Sequence, residues 1–99
     1  MRLNNFEIEN IKKQAIRHFG NEVKVILFGS RTQNEKRGGD IDLYIKSTDL
    51  ETMNPRSKIN FITDLLMIIG EQKIDVILDN PEYRDSPFFK TIEQTGIVL

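Results

Sequence analysis

The sequence predicts an α/β protein of the α+β kind: a small mixed sheet with helices on one face and an opposite face left partly open and bearing carboxylates. Three observations predict it. Short runs rich in β-branched and aromatic residues alternate with longer segments whose apolar residues recur every three or four positions. One of the short runs, Asp40–Lys46, alternates cleanly between apolar and polar residues, as a strand with a single core face does. A length of 99 residues with 38% hydrophobic composition supports one small core, so residues 1–99 are expected to form one domain.

The elements follow in order. Asn5–Phe19 reads as a helix, with Ile8, Ile11, Ala15 and Phe19 on one side, Lys12, Lys13 and Arg17 mostly on the other, and Gly20-Asn21 ending it. Asn4 or Asn5 can cap its start, where Glu7 and Glu9 suit the positive end of the dipole. Val23–Phe28 is a short central strand and Gly29–Gly39 a polar loop. In the strand Asp40–Lys46, residues Ile41, Leu43 and Ile45 face the core, and Asp40, Asp42, Tyr44 and Lys46 face away. The strands on either side of the loop are expected to be sheet neighbours. A loop over 47–54 leads to Asn54-Pro55, which opens a second helix with an apolar stripe of Ile59, Ile62, Leu65, Leu66 and Ile69, stopped by Gly70. Lys73–Asp79 is a third strand. Ser86-Pro87 opens a third helix that runs to about Thr95, and Ile97–Leu99 adds a short last strand.

Composition removes several function classes. With no cysteine there is no disulfide, thiolate metal site or cysteine nucleophile, and a lone His18 disfavours a Ser-His-Asp triad. A net charge of -1 gives no basic footprint, so direct nucleic-acid binding is disfavoured. The N-terminus holds Glu7 and Glu9 and no apolar signal core, and the longest apolar run, Leu65–Ile69, is too short to span a bilayer. A soluble cytoplasmic protein without membrane contact is the expectation.

Asp40 and Asp42 are the most informative residues. At i and i+2 on a strand they share a face, and two adjacent carboxylates repel unless a cation lies between them or one is protonated. A divalent ion is the simplest remedy, and carboxylates with retained waters suit Mg2+. Asp75 sits in the middle of the third strand, where aspartate is a poor β former. If that strand pairs with Asp40–Lys46, three carboxylates meet on the open face, enough to hold two metal ions for in-line phosphoryl displacement. The competing reading is a solvated sheet face with incidental acids. Gly29-Ser30-Arg31 follows an apolar strand directly. Glycine permits close backbone approach, and Ser30 and Arg31 offer donors and charge to a phosphate; a simple tight turn is the alternative.

Gly29-Ser30, a nine-residue spacer and Asp40-Ile41-Asp42 resemble the signature of the DNA polymerase β nucleotidyltransferase superfamily. The chain as a whole is similar to its smallest branch, the minimal nucleotidyltransferase domain proteins. The likeness takes in the leading helix, the LFGSR strand end, the DIDL and KIDVI strands and the short C-terminal helix. The spacer is one residue shorter than is usual in that branch, and Gly38-Gly39 precede Asp40.

The resemblance implies that Gly29 and Ser30, with Arg31, contact the triphosphate. It implies that Asp40 and Asp42 ligate two Mg2+ ions, and that Asp75 is the third carboxylate, activating the attacking hydroxyl by accepting its proton or through the metal. It implies ATP as donor, with release of pyrophosphate. It also implies a HEPN-domain RNase toxin as partner and acceptor, which the chain, as antitoxin, binds and modifies with AMP. An inactive antitoxin that neutralises its toxin by binding alone is the alternative; retention of all three aspartates favours the enzyme.

Other residues are assigned plainer roles. His18 takes a structural or surface role, Tyr44 and Lys46 read as exposed strand positions on the Asp face rather than contacts to nucleotide or product, Asp79 is a turn residue, and of Phe88-Phe89 one packs on the core and one lies at an edge, an exposed one pointing instead to a protein interface.

Overall fold

Each helix begins where the sequence supplies a side-chain acceptor for its first free N–H groups. Asn4 Oδ1 accepts from Glu7 N at 2.8 Å, and Glu7 Oε1 accepts from Asn4 N at 3.1 Å, a reciprocal capping box. Asn54 Oδ1 accepts from Ser57 N at 2.9 Å, and Ser86 Oγ accepts from Phe89 N at 3.1 Å. A proline follows the cap in both later helices. Each cap contributes about 1 kcal/mol.

The computed structural model describes residues 3–29 and 41–99. Its order is α1 (Asn5–Phe19), β1 (Lys24–Phe28), β2 (Ile41–Lys46), α2 (Pro55–Ile69), β3 (Ile74–Leu78), α3 (Pro87–Thr95) and β4 (Ile97–Val98). Short 3-10 turns at Leu50–Thr52 and Pro81–Tyr83 interrupt the connections. The strands lie in the order β3-β2-β1-β4. β1 is antiparallel to both β2 and β4, and β2 is parallel to β3, so the sheet is mixed. The two strands flanking residues 29–39 are neighbours, as expected.

The main core lies between one sheet face and helices α1 and α2. Leu27, Ile41, Leu43 and Ile45 meet Ile11, Ala15, Phe19, Phe61 and Leu65 there, all without solvent exposure. Phe19 and Phe61 pack edge to face at 5.5 Å, which adds about 1 kcal/mol to their area burial. His18 Nε2 lies 2.8 Å from Asp64 Oδ2 and ties α1 to α2, a structural role. The stripe of α2 keeps Ile62, Leu65, Leu66 and Ile69 on the core as expected, but Phe61 is buried and Ile59 is exposed. Steps of about 100° per residue put Ile59 far round the helix from the Phe61–Leu65 line that fits between α1 and the sheet.

The second face is only partly open. α1 and α2 share one face, but α3 lies against the other, where Phe89 and Ile92 join Ile26 and Tyr44 in a smaller buried cluster. The i, i+3 spacing of Phe89 and Ile92 gives that short helix an apolar line. Tyr44, expected at an exposed position, is fully buried beneath it. Among the described residues, no helix is long and apolar enough to cross a membrane.

Candidate functional site

Among the described residues, the part of the second face that no helix covers lies where β1 ends and β2 and β3 begin. Parallel pairing sets Asp42 of β2 directly opposite Asp75 of β3. Neighbouring strands are about 4.8 Å apart, and directly opposed residues point to the same face, so the two carboxylates stand side by side. On the other flank, antiparallel pairing sets Phe28 of β1 opposite Asp42. A row therefore runs across the sheet: Phe28, Asp42, Asp75. Asp42 is half-buried and Asp75 exposed. Asp75 makes no side-chain hydrogen bond or ion pair among the described residues.

Gly29 closes this end. Its φ is +76°, a region that disfavours any side chain. A Cβ there would lie 2.3 Å from Asp42 Oδ2 and 3.2 Å from Asp42 Cγ. The turn therefore requires glycine twice, once for its backbone and once because the Asp42 carboxylate fills the space of a side chain. Gly29 and Asp42 are parts of one packing unit, although twelve residues lie between them in the sequence.

Of the sequence-derived site residues, Gly29, Asp42 and Asp75 come together. Ser30, Arg31 and Asp40 lie outside the described residues, as does the whole nine-residue spacer. Among the described residues no three His, Cys, Asp or Glu side chains gather as a metal-holding group. The donors that do meet, two carboxylates on rigid adjacent strands, are the oxygen type that a hard divalent cation such as Mg2+ prefers. A cation between them would also relieve their mutual repulsion. The residues present fit that role.

Sequence reasoning missed a second constellation at the far end of the same strands. Tyr44, two residues beyond Asp42, donates its hydroxyl hydrogen bond to Asp79, four residues beyond Asp75. Arg84 reaches Asp79 with both terminal nitrogens, Nη1 to Oδ1 at 2.7 Å and Nη2 to Oδ2 at 2.8 Å. The guanidinium also lies 4.8 Å from the centre of the Phe89 ring, and Lys46 Nζ lies 5.5 Å from the same ring. Asp79 is thus no incidental turn residue. Hydrogen bonding from Arg84, chiefly, holds its carboxyl below the usual carboxylate range. Burial, with the hydrogen bond and charge of Asp79, pushes the Tyr44 hydroxyl above the usual phenol range. The available signal was the i+2 spacing that places Tyr44 on the Asp42 face, together with an arginine five residues past Asp79.

A comparison with curated proteins returns no match. The family model described as "Polymerase beta, Nucleotidyltransferase" matches residues 9–99. That stretch runs from the first helix through the glycine turn and both aspartate strands to the last residue, and the small mixed sheet with three helices among the described residues agrees with it: the chain belongs to the polymerase β nucleotidyltransferase family.

Proposed function

We propose that this chain is a Mg2+-dependent protein adenylyltransferase that acts in the cytoplasm as an antitoxin: it binds a HEPN-domain RNase toxin and transfers AMP to it from ATP. The observation that carries the catalytic half is the in-register facing of Asp42 and Asp75 beside the close glycine turn. Family membership supports nucleotidyl transfer in general. The antitoxin role rests on the resemblance to minimal nucleotidyltransferase domain proteins.

In this reading an acceptor hydroxyl attacks the α-phosphorus of ATP, a new O–P bond forms, and the bond to pyrophosphate breaks. Asp42 and Asp75, with Asp40 two positions before Asp42, would hold Mg2+, whose charge supplies electrostatic stabilisation to the phosphate oxygens. Asp75, exposed and at the sheet rim, takes the proton of the acceptor hydroxyl. Gly29 lets the backbone approach the phosphates with no side chain in the way, and Ser30 and Arg31 supply donors to them. Asp42, held against Gly29 and half-buried, keeps its carboxylate at a fixed place relative to that turn.

The test incubates the chain with the purified toxin partner, Mg2+ and ATP labelled at the α-phosphate. Label should appear on the toxin and its RNase activity should fall. Absence of transfer, with full inhibition retained by Asp42→Ala, would establish the inactive, binding-only antitoxin instead. Mg·ATP should also raise the melting temperature of the isolated chain by mass action, by an increment that grows with nucleotide concentration.

A further inference from the structure

We infer that Phe88, braced by Phe28, is the surface on which the base of the nucleotide stacks, and that this site therefore prefers a purine nucleoside triphosphate. The inference rests on the nucleotidyltransferase reading of the Asp42–Asp75 site and adds what holds the base.

Phe28 is the cross-strand partner of Asp42, on the side away from Asp75, so its ring shares the carboxylate face. It is also the residue immediately before Gly29. Phe88 meets it from α3, with ring centres 5.9 Å apart and planes at 86°. The helix does not need Phe88 for packing, because Phe89 and Ile92 already form its buried line and Phe88 lies about 100° round from Phe89. Phe88 is 46% exposed. An edge-to-face contact engages an edge of one ring and a face of the other, so flat aromatic surface remains available to a ligand. The side chain is large, rigid and pinned on one side, and it costs little entropy to stack upon.

Its position suits the base. Directly opposed residues have Cβ atoms about 5 Å apart, so the Phe88 ring centre lies on the order of 10 Å from the Asp42 carboxylate region. That interval accommodates a ribose between an α-phosphate at the carboxylates and a base at the ring. Stacking area, which is larger for a purine than for a pyrimidine, supplies the discrimination.

Calorimetry of Mg2+-dependent binding with three probes, ATP, UTP and inorganic tripolyphosphate, tests this on the wild-type chain and on Phe88→Ala, Phe88→Leu and Phe88→Trp. Wild type should bind ATP more tightly than UTP. Phe88→Ala and Phe88→Leu should weaken ATP about 10-fold, leave tripolyphosphate unchanged and erase the purine preference, while Phe88→Trp keeps it. Leucine retains apolar bulk without the ring, so its failure separates stacking from mere coverage. The inference is overturned if ATP binds Phe88→Ala as well as wild type, which would make the ring a protein contact, or if tripolyphosphate weakens in parallel, or if wild type shows no purine preference. If wild type binds none of the three probes, the nucleotidyltransferase reading falls, and this inference with it.

Discussion

Asp75 and Asp79 sit four residues apart, on and just past β3, yet their surroundings are opposite in kind. Asp79 is saturated: two Arg84 nitrogens, the Tyr44 hydroxyl and the nearby Lys46 surround it. Asp75 is exposed and faces another carboxylate in register, that of Asp42. The difference separates two uses of an acid on a sheet. A charge compensated within the fold holds elements together, here α3 and the turn before it to the sheet. A charge set beside a like charge at the rim contributes little to folding and is left available to a cation. Substitutions at the two ends should therefore divide cleanly between activity and stability.

The largest effect is expected at the rim. Asp75→Asn removes the proposed proton acceptor and should lower nucleotidyl transfer by about 10²–10⁴-fold, with a melting temperature equal to wild type or slightly higher, because repulsion from Asp42 is relieved. Asp42→Asn should abolish Mg2+-dependent nucleotide binding with the fold intact. Parallel measurement of transfer, calorimetric binding and thermal unfolding decides the matter. A collapse of Tm in either variant would mean that these carboxylates support the fold as Asp79 does.

Gly29→Ala is next. A Cβ 2.3 Å from Asp42 Oδ2 must push the carboxylate aside, and φ of +76° adds about 1–2 kcal/mol of backbone strain. Transfer should fall on the order of 10²-fold, with a smaller loss of stability. If the carboxylate tolerates the methyl and activity holds, the glycine serves the turn alone.

At the far end, Asp79→Ala should leave transfer chemistry largely in place and reduce stability. It strands the buried Tyr44 hydroxyl and frees Arg84, at a cost of about 2 kcal/mol, or on the order of 10 °C in Tm. Transfer at a temperature well below the lowered Tm should remain near the wild-type rate. A rate loss comparable to that of Asp75→Asn would show that the two ends of the sheet are coupled.

This same contrast explains what the sequence could reveal. Helix boundaries were legible because Asn4, Asn54 and Ser86 cap and Gly20 and Gly70 stop, which are local effects. The facing of Asp42 and Asp75 was legible as a conditional, since it required only that β2 and β3 be neighbours in one register. The Tyr44–Asp79–Arg84 cluster was not, because it depends on α3 crossing to the second face and burying Tyr44, a tertiary event with no local periodicity. The exposure of Ile59 on α2 has the same origin: Ile59 is as apolar as Ile62, and the position of α1 and the sheet decides which is covered. Ser30 and Arg31, expected on the phosphate side, and the first aspartate, Asp40, fall outside the described residues.

The smallest expected effect isolates a single bond of the saturated end. Tyr44→Phe keeps the ring beneath Phe89 and leaves Asp79 both of its Arg84 contacts, so it should cost only about 1 kcal/mol near neutral pH. Its signature lies in the pH dependence. The folded state raises the Tyr44 pKa, through burial first and then Asp79, so the proton is held more tightly in the folded chain than in the unfolded one. That contribution is fully present below the unfolded value of about 10 and is lost as pH rises above it towards the folded value. Asp79 works in the opposite direction: with its folded pKa lowered, chiefly by Arg84, its contribution is present above about pH 4 and is lost as pH falls below that. Thermal unfolding followed across the whole range should therefore show Tyr44→Phe losing less Tm than wild type above pH 10, while Asp79→Asn loses less below pH 4. If Tyr44→Phe instead parallels wild type on the alkaline side, the hydroxyl is free to ionise without cost, and Arg84 alone neutralises Asp79.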